Sequence, residues 1–138
     1  PGRPTLILDV AHNPAAAEAL AVTLSRMGRG GRTLVVFAML RDKDIDGVIA
    51  AFGKRIAIDH WFVAGIDAPR GADAALLAEK LQSAQVPGAV TVCESIAQAY
   101  AQACDMAVQN DKILAFGSFY TVAAVIEART KQRASSVP

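Results

Sequence analysis

The sequence carries no excess of charge of either sign. Its 14 Lys and Arg are matched by 13 Asp and Glu, and the basic residues are scattered along the chain. A nucleic-acid surface needs them gathered into a patch or stripe, so no nucleic-acid partner is expected. Long apolar runs are also missing. Hydrophobic residues make up 53% of the 138 positions, yet none of their runs approaches the roughly 18 uncharged residues of a spanning helix. No membrane association is expected. Pro1-Gly2-Arg3-Pro4 lacks the apolar segment of a signal peptide. It also lacks an initiating Met, so the expectation is a cytoplasmic chain that begins inside a longer protein.

Cysteine is scarce, with only Cys93 and Cys104, and histidine equally so, with only His12 and His60. Neither pair has CxxC or zinc-knuckle spacing, so no metal site is expected. A cytosolic chain is expected to keep both thiols reduced. Cys104 reads as a small apolar residue on a helix and Cys93 as a strand-end residue. There is no GxxxxGK[ST] phosphate loop. Gly28-Arg29-Gly30-Gly31 is only a cluster that ends a helix. No repeat, low-complexity segment or linker divides the chain, and its length fits one domain with a sizeable apolar core.

What is present is an alternation of short apolar runs with helical periods. Thr5 to Ala11 reads as a buried strand. Asn13 offers an N-cap and Pro14 a first helical position, with Ala16, Leu20, Leu24 and Met27 on one face. Leu34 to Leu40 is a second buried strand. A helix with Ile45, Val48, Ile49 and Phe52 follows the polar turn Arg41 to Asp44. His60 to Ala64, Ala89 to Cys93 and Lys112 to Phe116 are further strands. Between them lie a helix over Ala74 to Leu81 and one from the Ser95 cap to about Val108. Gly117-Ser118 leads into a last helix reaching about Lys131, and the Ser135–Pro138 tail is expected to be disordered. Right-handed crossovers then predict an α/β, Rossmann-like domain: a mostly parallel sheet of about five or six strands with helices on both faces.

Ligands of such sheets collect at the carboxyl ends of the strands. Asp9 to Asn13, Arg41 to Asp44 and Gly117 to Thr121 all fall there. A carboxylate at Asp9 costs free energy unless satisfied; it can reach a ribose hydroxyl or a cation, or simply fix the turn. The imidazole of His12 can donate to phosphate or carboxylate, or belong to the turn alone. Asn13 with the free N–H groups after it makes an anion-friendly helix start, and as a single residue it reads first as a cap. Lys43 is evenly divided between a phosphate-neutralising ammonium and a solvated loop charge. Ser118 is evenly divided between a ligand and an N-cap. Asp42 and Asp44 read as turn and cap, Arg70 as a surface or loop residue, and His60 and Trp61 as core packing.

Asp9-Val10-Ala11-His12-Asn13-Pro14 resembles the signature that opens the C-terminal domain of the Mur ligase family. The folate branch of that family also resembles this chain at Met39-Leu40-Arg41-Asp42-Lys43-Asp44-Ile45, at Pro69-Arg70-Gly71-Ala72 and at Gly117-Ser118-Phe119-Tyr120-Thr121-Val122-Ala123. The blocks occur in family order and span nearly the whole chain. The resemblance implies a domain, residues 1–138, of an ATP- and Mg2+-dependent ligase. An N-terminal P-loop ATPase domain, absent from this chain, would hold ATP and most of the magnesium coordination. A carboxylate of dihydropteroate or folate would be phosphorylated, and the amine of L-glutamate would attack the acyl phosphate. Asp9, with Asn13 and Lys43, would contact the nucleotide. His12 and Ser118 would lie near the glutamate or the transferring phosphate. Tyr120 departs from the His many relatives carry there, and Arg3 is too close to Asp9 to serve as the family's interdomain arginine. A monomer is implied by analogy, and the isolated domain is expected to be inactive. Two other readings stay open: a cell-wall Mur ligase domain, whose Asp-Asn-Pro-Arg motif is absent here, and a non-catalytic nucleotide-binding module.

Overall fold

The fold, taken from a computed structural model, describes residues 4–27, 30–53 and 55–135. Ten elements alternate: β1 (Thr5–Asp9), α1 (Pro14–Ser25), β2 (Thr33–Phe37), α2 (Ile45–Gly53), β3 (His60–Val63), α3 (Ala74–Ser83), β4 (Ala89–Val92), α4 (Ile96–Met106), β5 (Lys112–Phe116) and α5 (Phe119–Ser135). The five strands form one sheet in the order β1-β5-β2-β3-β4, and every neighbouring pair is parallel. Side chains alternate between the two faces of each strand. Val35, Phe37, Trp61, Val63, Leu114 and Phe116 meet α1, α2 and α3 on one face. Leu34, Val36, Phe62, Ile113 and Ala115 meet α4 and α5 on the other. Three crossovers step the chain across the sheet through α1, α2 and α3. The fourth runs back, and a right-handed return must use the opposite face, which is where α4 lies.

The first core is centred on aromatic rings. Phe52 stacks on Phe116 with centroids 4.7 Å apart, and Phe37 meets Trp61 edge-on at 5.4 Å. His60 is half-buried rather than core, stacked on Phe62 at 4.2 Å, with Nε2 2.6 Å from the Thr91 hydroxyl. Both cysteines are free thiols, and burial pushes the Cys93 thiol up from its ordinary value. Among the described residues no helix is long and apolar enough to cross a membrane.

Several expected boundaries move. β1 ends at Asp9 and is an edge strand, half-buried along its length. β2 ends at Phe37 because its neighbours stop. β5 turns away at Gly117, and the Phe37 carbonyl accepts the last β3-side bond from Ala64 N. The buried face of α1 is Ala17, Leu20, Ala21 and Leu24; Ala16 lies beside it, and Met27 falls past the helix end at 46% exposure. α4 stops at Met106, short of Val108, while α5 continues to Ser135. The helix-ending Gly28 and Arg29 and the tail residues 136–138 lie outside the described residues.

At the amino edge the sheet is closed by a buried carboxylate. Asp111, 2% exposed, accepts from the backbone N–H of Arg32 at 2.7 Å and of Val108 at 2.9 Å. Arg32 adds its guanidinium through Nη2 at 2.9 Å. Burial alone raises this carboxyl's pKa, but the two backbone donors and the Arg32 charge outweigh it and hold the pKa below its ordinary value. A depressed folded pKa contributes stability that is complete above the unfolded value near 4 and is lost as pH falls through the folded one. Asp111→Asn is therefore expected to lower the melting temperature at pH 7 and to flatten its fall between about pH 5 and pH 3. Thermal melts across that range check both; an unchanged acid slope would rule out Asp111 as its source.

Candidate functional site

The strand order brings the turns after β1, β5 and β2 side by side at the carboxyl edge. From adjacent strands, α1 leaves toward one face and α5 toward the other. Such a reversal opens a crevice. It holds a cavity of about 440 Å³ lined by Val10, His12, Leu40, Lys43, Arg70, Gly117, Ser118, Phe119 and Tyr120. No carboxylate lines it among the described residues, and its wall is otherwise largely apolar.

His12, Lys43 and Ser118 are thus brought together from three separate segments. The Nδ1 of His12 lies 3.0 Å from the Val10 carbonyl. That oxygen can only accept, so Nδ1 carries the proton and Nε2 is left for a ligand. Ser118 is buried, and its Oγ accepts from Tyr120 N at 3.2 Å. It therefore caps α5 while keeping its own hydrogen to donate. Lys43 has no carboxylate partner among the described residues.

Asp9 and Asn13 stand outside the cavity lining. Asp9 ends β1 half-buried, where Oδ1 accepts from Ala11 N at 2.8 Å. The Asn13 amide oxygen accepts from Ala16 N at 2.8 Å and caps α1. Both side chains thus have turn duties, as the simpler reading of each held. Each also retains capacity: Asp9 its second oxygen, Asn13 its amide nitrogen. Asp44 caps α2 through Gly47 N at 2.9 Å.

The turn that carries Lys43 is fixed residue by residue. The Ala38 carbonyl accepts from the Thr121 hydroxyl at 2.8 Å, and the Met39 carbonyl from Ala72 N at 2.9 Å. Leu40 forms an antiparallel bridge with Gly71, and Arg41 N donates to the Arg70 carbonyl at 2.7 Å. The Arg70 guanidinium then pairs with Asp42 at 2.7 Å. Sequence reasoning missed the Thr121 bond, while Arg70 is the exposed loop residue it was expected to be, with Asp42 as its partner. The one visible signal of the Thr121 bond was membership of the Gly117–Ala123 block.

The chain is a parallel α/β domain that gathers His12, Lys43, Arg70 and Ser118 at its switch point. The family described as Mur ligase, glutamate ligase domain, matches residues 2–119, and the chain belongs to that family. It is 40% identical over 130 residues to the Escherichia coli dihydrofolate synthase/folylpolyglutamate synthase, covering 94% of this chain and 29% of that protein. The Haemophilus influenzae enzyme of the same name is 39% identical over 90% of this chain and 29% of its own length. Among solved structures, E. coli FolC in complex with DHPP and ADP superposes with a TM-score of 0.83 at 40% identity, over 93% of this chain and 29% of that one. The Yersinia pestis bifunctional folylpolyglutamate synthase/dihydrofolate synthase shares 40% identity; its structure complexed with AMPPNP and Mn aligns at 0.80 over 91% of this chain and 28% of that one. The chain thus spans under a third of the length of these relatives.

Thr121→Val removes the hydroxyl and leaves the Ala38 carbonyl unpaired in a fully buried setting. A loss of about 1–3 kcal/mol in unfolding free energy is expected. Chemical denaturation of the isolated domain checks it; an unchanged midpoint would mean that the bond does not fix α5.

Proposed function

We propose that this chain is the C-terminal, glutamate-ligase domain of an ATP-dependent ligase that joins L-glutamate to dihydropteroate and folates. The observation that carries the reading is the convergence of His12, Lys43 and Ser118 on one cavity without an opposing carboxylate, in a family of glutamate ligases. The folate branch, rather than the cell-wall branch or a non-catalytic module, is supported by the identity to folate synthases across 94% of the chain.

On this reading the missing N-terminal domain supplies the P-loop, and ATP supplies the phosphoryl group that activates the carboxylate. The cavity fits an anion. It does not fit magnesium, since none of its lining residues is a carboxylate, so the ion belongs with the other domain. Lys43 is a flexible point charge suited to phosphate that moves as the domains close. The second oxygen of Asp9 and the amide nitrogen of Asn13 sit at the same edge for the nucleotide's sugar and phosphates. Ser118 donates its hydroxyl hydrogen to the incoming amino acid or phosphate. Among the nitrogen groups of the lining, Lys43 and Arg70 can only donate, so a neutral His12 Nε2 is the acceptor available to an incoming amine. A monomer follows only by analogy with the family, and consumption of ATP fits a cytoplasmic enzyme.

The isolated domain is expected to ligate no glutamate, because phosphoryl transfer depends on positioned phosphate ligands it lacks. In the full-length protein, Asp9→Ala is expected to lower the melting temperature modestly, because the Ala11 N–H loses its acceptor, and to cut the kcat/KM of the folded protein about tenfold to a hundredfold. His12→Ala is expected to raise the KM for glutamate more than that for ATP. Steady-state kinetics with each substrate varied, beside thermal melts, check all three. Wild-type kinetics in both folded mutants would remove this edge of the sheet from the mechanism.

A further inference from the structure

We propose that Phe119 packs against the aryl ring of dihydropteroate, and so favours an acyl donor whose reacting carboxylate is bonded directly to a ring over one whose carboxylate ends a glutamyl chain. The inference rests on the reading that this domain serves a ligase joining L-glutamate to both. It starts from an aromatic side chain that the fold leaves uncovered. Phe119 is 76% exposed, more than any other large hydrophobic among the described residues. It takes no part in the aromatic packing of the core and makes no ring contact among the described residues.

A single apolar side chain in water is ordinary. This one has company. Val10 and Tyr120 are also exposed, and all three line the same cavity. The lining also holds Lys43 and Arg70 and no carboxylate. An apolar rim that adjoins cations suits a ligand that is apolar right beside its negative charge.

The ring is carried on a fixed backbone. Phe119 is the first residue of α5. Before it, the buried Ser118 accepts from Tyr120 N through its Oγ at 3.2 Å. After it, the Thr121 hydroxyl donates to the Ala38 carbonyl at 2.8 Å. A side chain with only two torsions on such a base loses little freedom when a ligand meets it.

Which ring it meets follows from position along each substrate. An ammonium such as Lys43 collects phosphate. The adenine of ATP is separated from the transferred phosphate by the ribose and the rest of the triphosphate. The incoming amino acid brings no ring. In dihydropteroate the carboxyl carbon that receives the phosphate is bonded to a benzene ring, so an acyl phosphate held at the cations puts that ring at the rim. In a folate the reacting carboxyl ends a glutamyl side chain, whose methylenes and amide stand between it and the ring. Aromatic rings pack with centroids about 4.5–7 Å apart, so only the first donor brings a ring within reach of one placed beside the phosphate.

The test uses the full-length protein with dihydropteroate, a reduced folate ending in one glutamate, L-glutamate and ATP varied in turn. Phe119→Ala is expected to lower kcat/KM for dihydropteroate about tenfold to a hundredfold and that for the folate by less than about threefold. Phe119→Tyr keeps the ring and is expected to restore the preference, whereas Phe119→Leu, apolar without a ring, recovers only part of it. The KM values for ATP and for glutamate are expected to stay within about twofold. Because Phe119 is exposed, the melting temperature is expected to stay near the wild-type value. An equal loss for both donors, an unchanged preference, or a rise in the KM for ATP that places adenine against this ring would overturn the proposal. A wild-type protein that ligates glutamate to neither donor, or to the folate alone, would instead overturn the functional reading on which it stands.

Discussion

The carbonyl oxygen of Ala38 is the joint on which the carboxyl edge depends. It lies one residue past β2 and accepts the hydroxyl of Thr121, from the first turn of α5, at 2.8 Å. Gly117 crosses the same oxygen with φ +118°, and a Cβ there would approach to 2.3 Å. Both the glycine's freedom and the threonine's hydroxyl are thus required by one backbone atom. Since β2 and β5 are already paired up to Phe37 and Phe116, this contact extends their union one step beyond the ladder. Ser118 and the Lys43 turn are thereby held in a fixed relation. A site assembled from loops gains precision when those loops share rigid supports.

The two ends of the strands differ in how their charges are satisfied. At the amino edge Asp111 is saturated with donors, and its neighbour Arg32 is neutralised. At the carboxyl edge Lys43 has no carboxylate partner among the described residues, and Arg70 is neutralised only by an exposed acid. Cations left without buried partners keep their interaction free energy for a ligand that brings negative charge. Clustering them costs some repulsion, which exposure to water keeps small.

The fold was legible because three of the five strands are near-continuous apolar runs, and only a sheet covered on both faces buries such runs. The caps Asn13, Asp44 and Ser95 could be read from local chemistry alone, and each accepts a backbone N–H at the start of its helix. What could not be read depends on partners distant in sequence. Ala38, Met39 and Leu40 have the same apolar character as the strand before them, yet their backbone groups bond to α5 and to the β3–α3 loop. β1 has the composition of a buried strand and stands at an edge, because sheet order is set by crossovers rather than by the strand's own residues. Met27 fits the helical period but falls past the end of the helix. Of the five expected site residues, His12, Lys43 and Ser118 line one cavity and Asp9 and Asn13 stand outside it, because the turns that carry the three meet only through the sheet order.

On the proposed function, the same geometry makes this domain one half of a site. Its lining provides donors from Lys43, Arg70 and Ser118, but a single basic acceptor at His12 Nε2, since Nδ1 is engaged with the Val10 carbonyl. The Val10 carbonyl makes that assignment, since it leaves no choice of tautomer to the neutral ring. Val10 itself is 44% exposed and Phe119 76% exposed beside the cavity, so the rim is apolar as well as cationic. An open rim of this kind leaves bound anions in contact with water, where each charge–charge interaction is weak. Covering the rim with a second surface would exclude that water and strengthen every contact beneath it at once. On the proposed function, closure rather than any residue added to this chain would convert an exposed set of donors into a site able to hold a reacting anion.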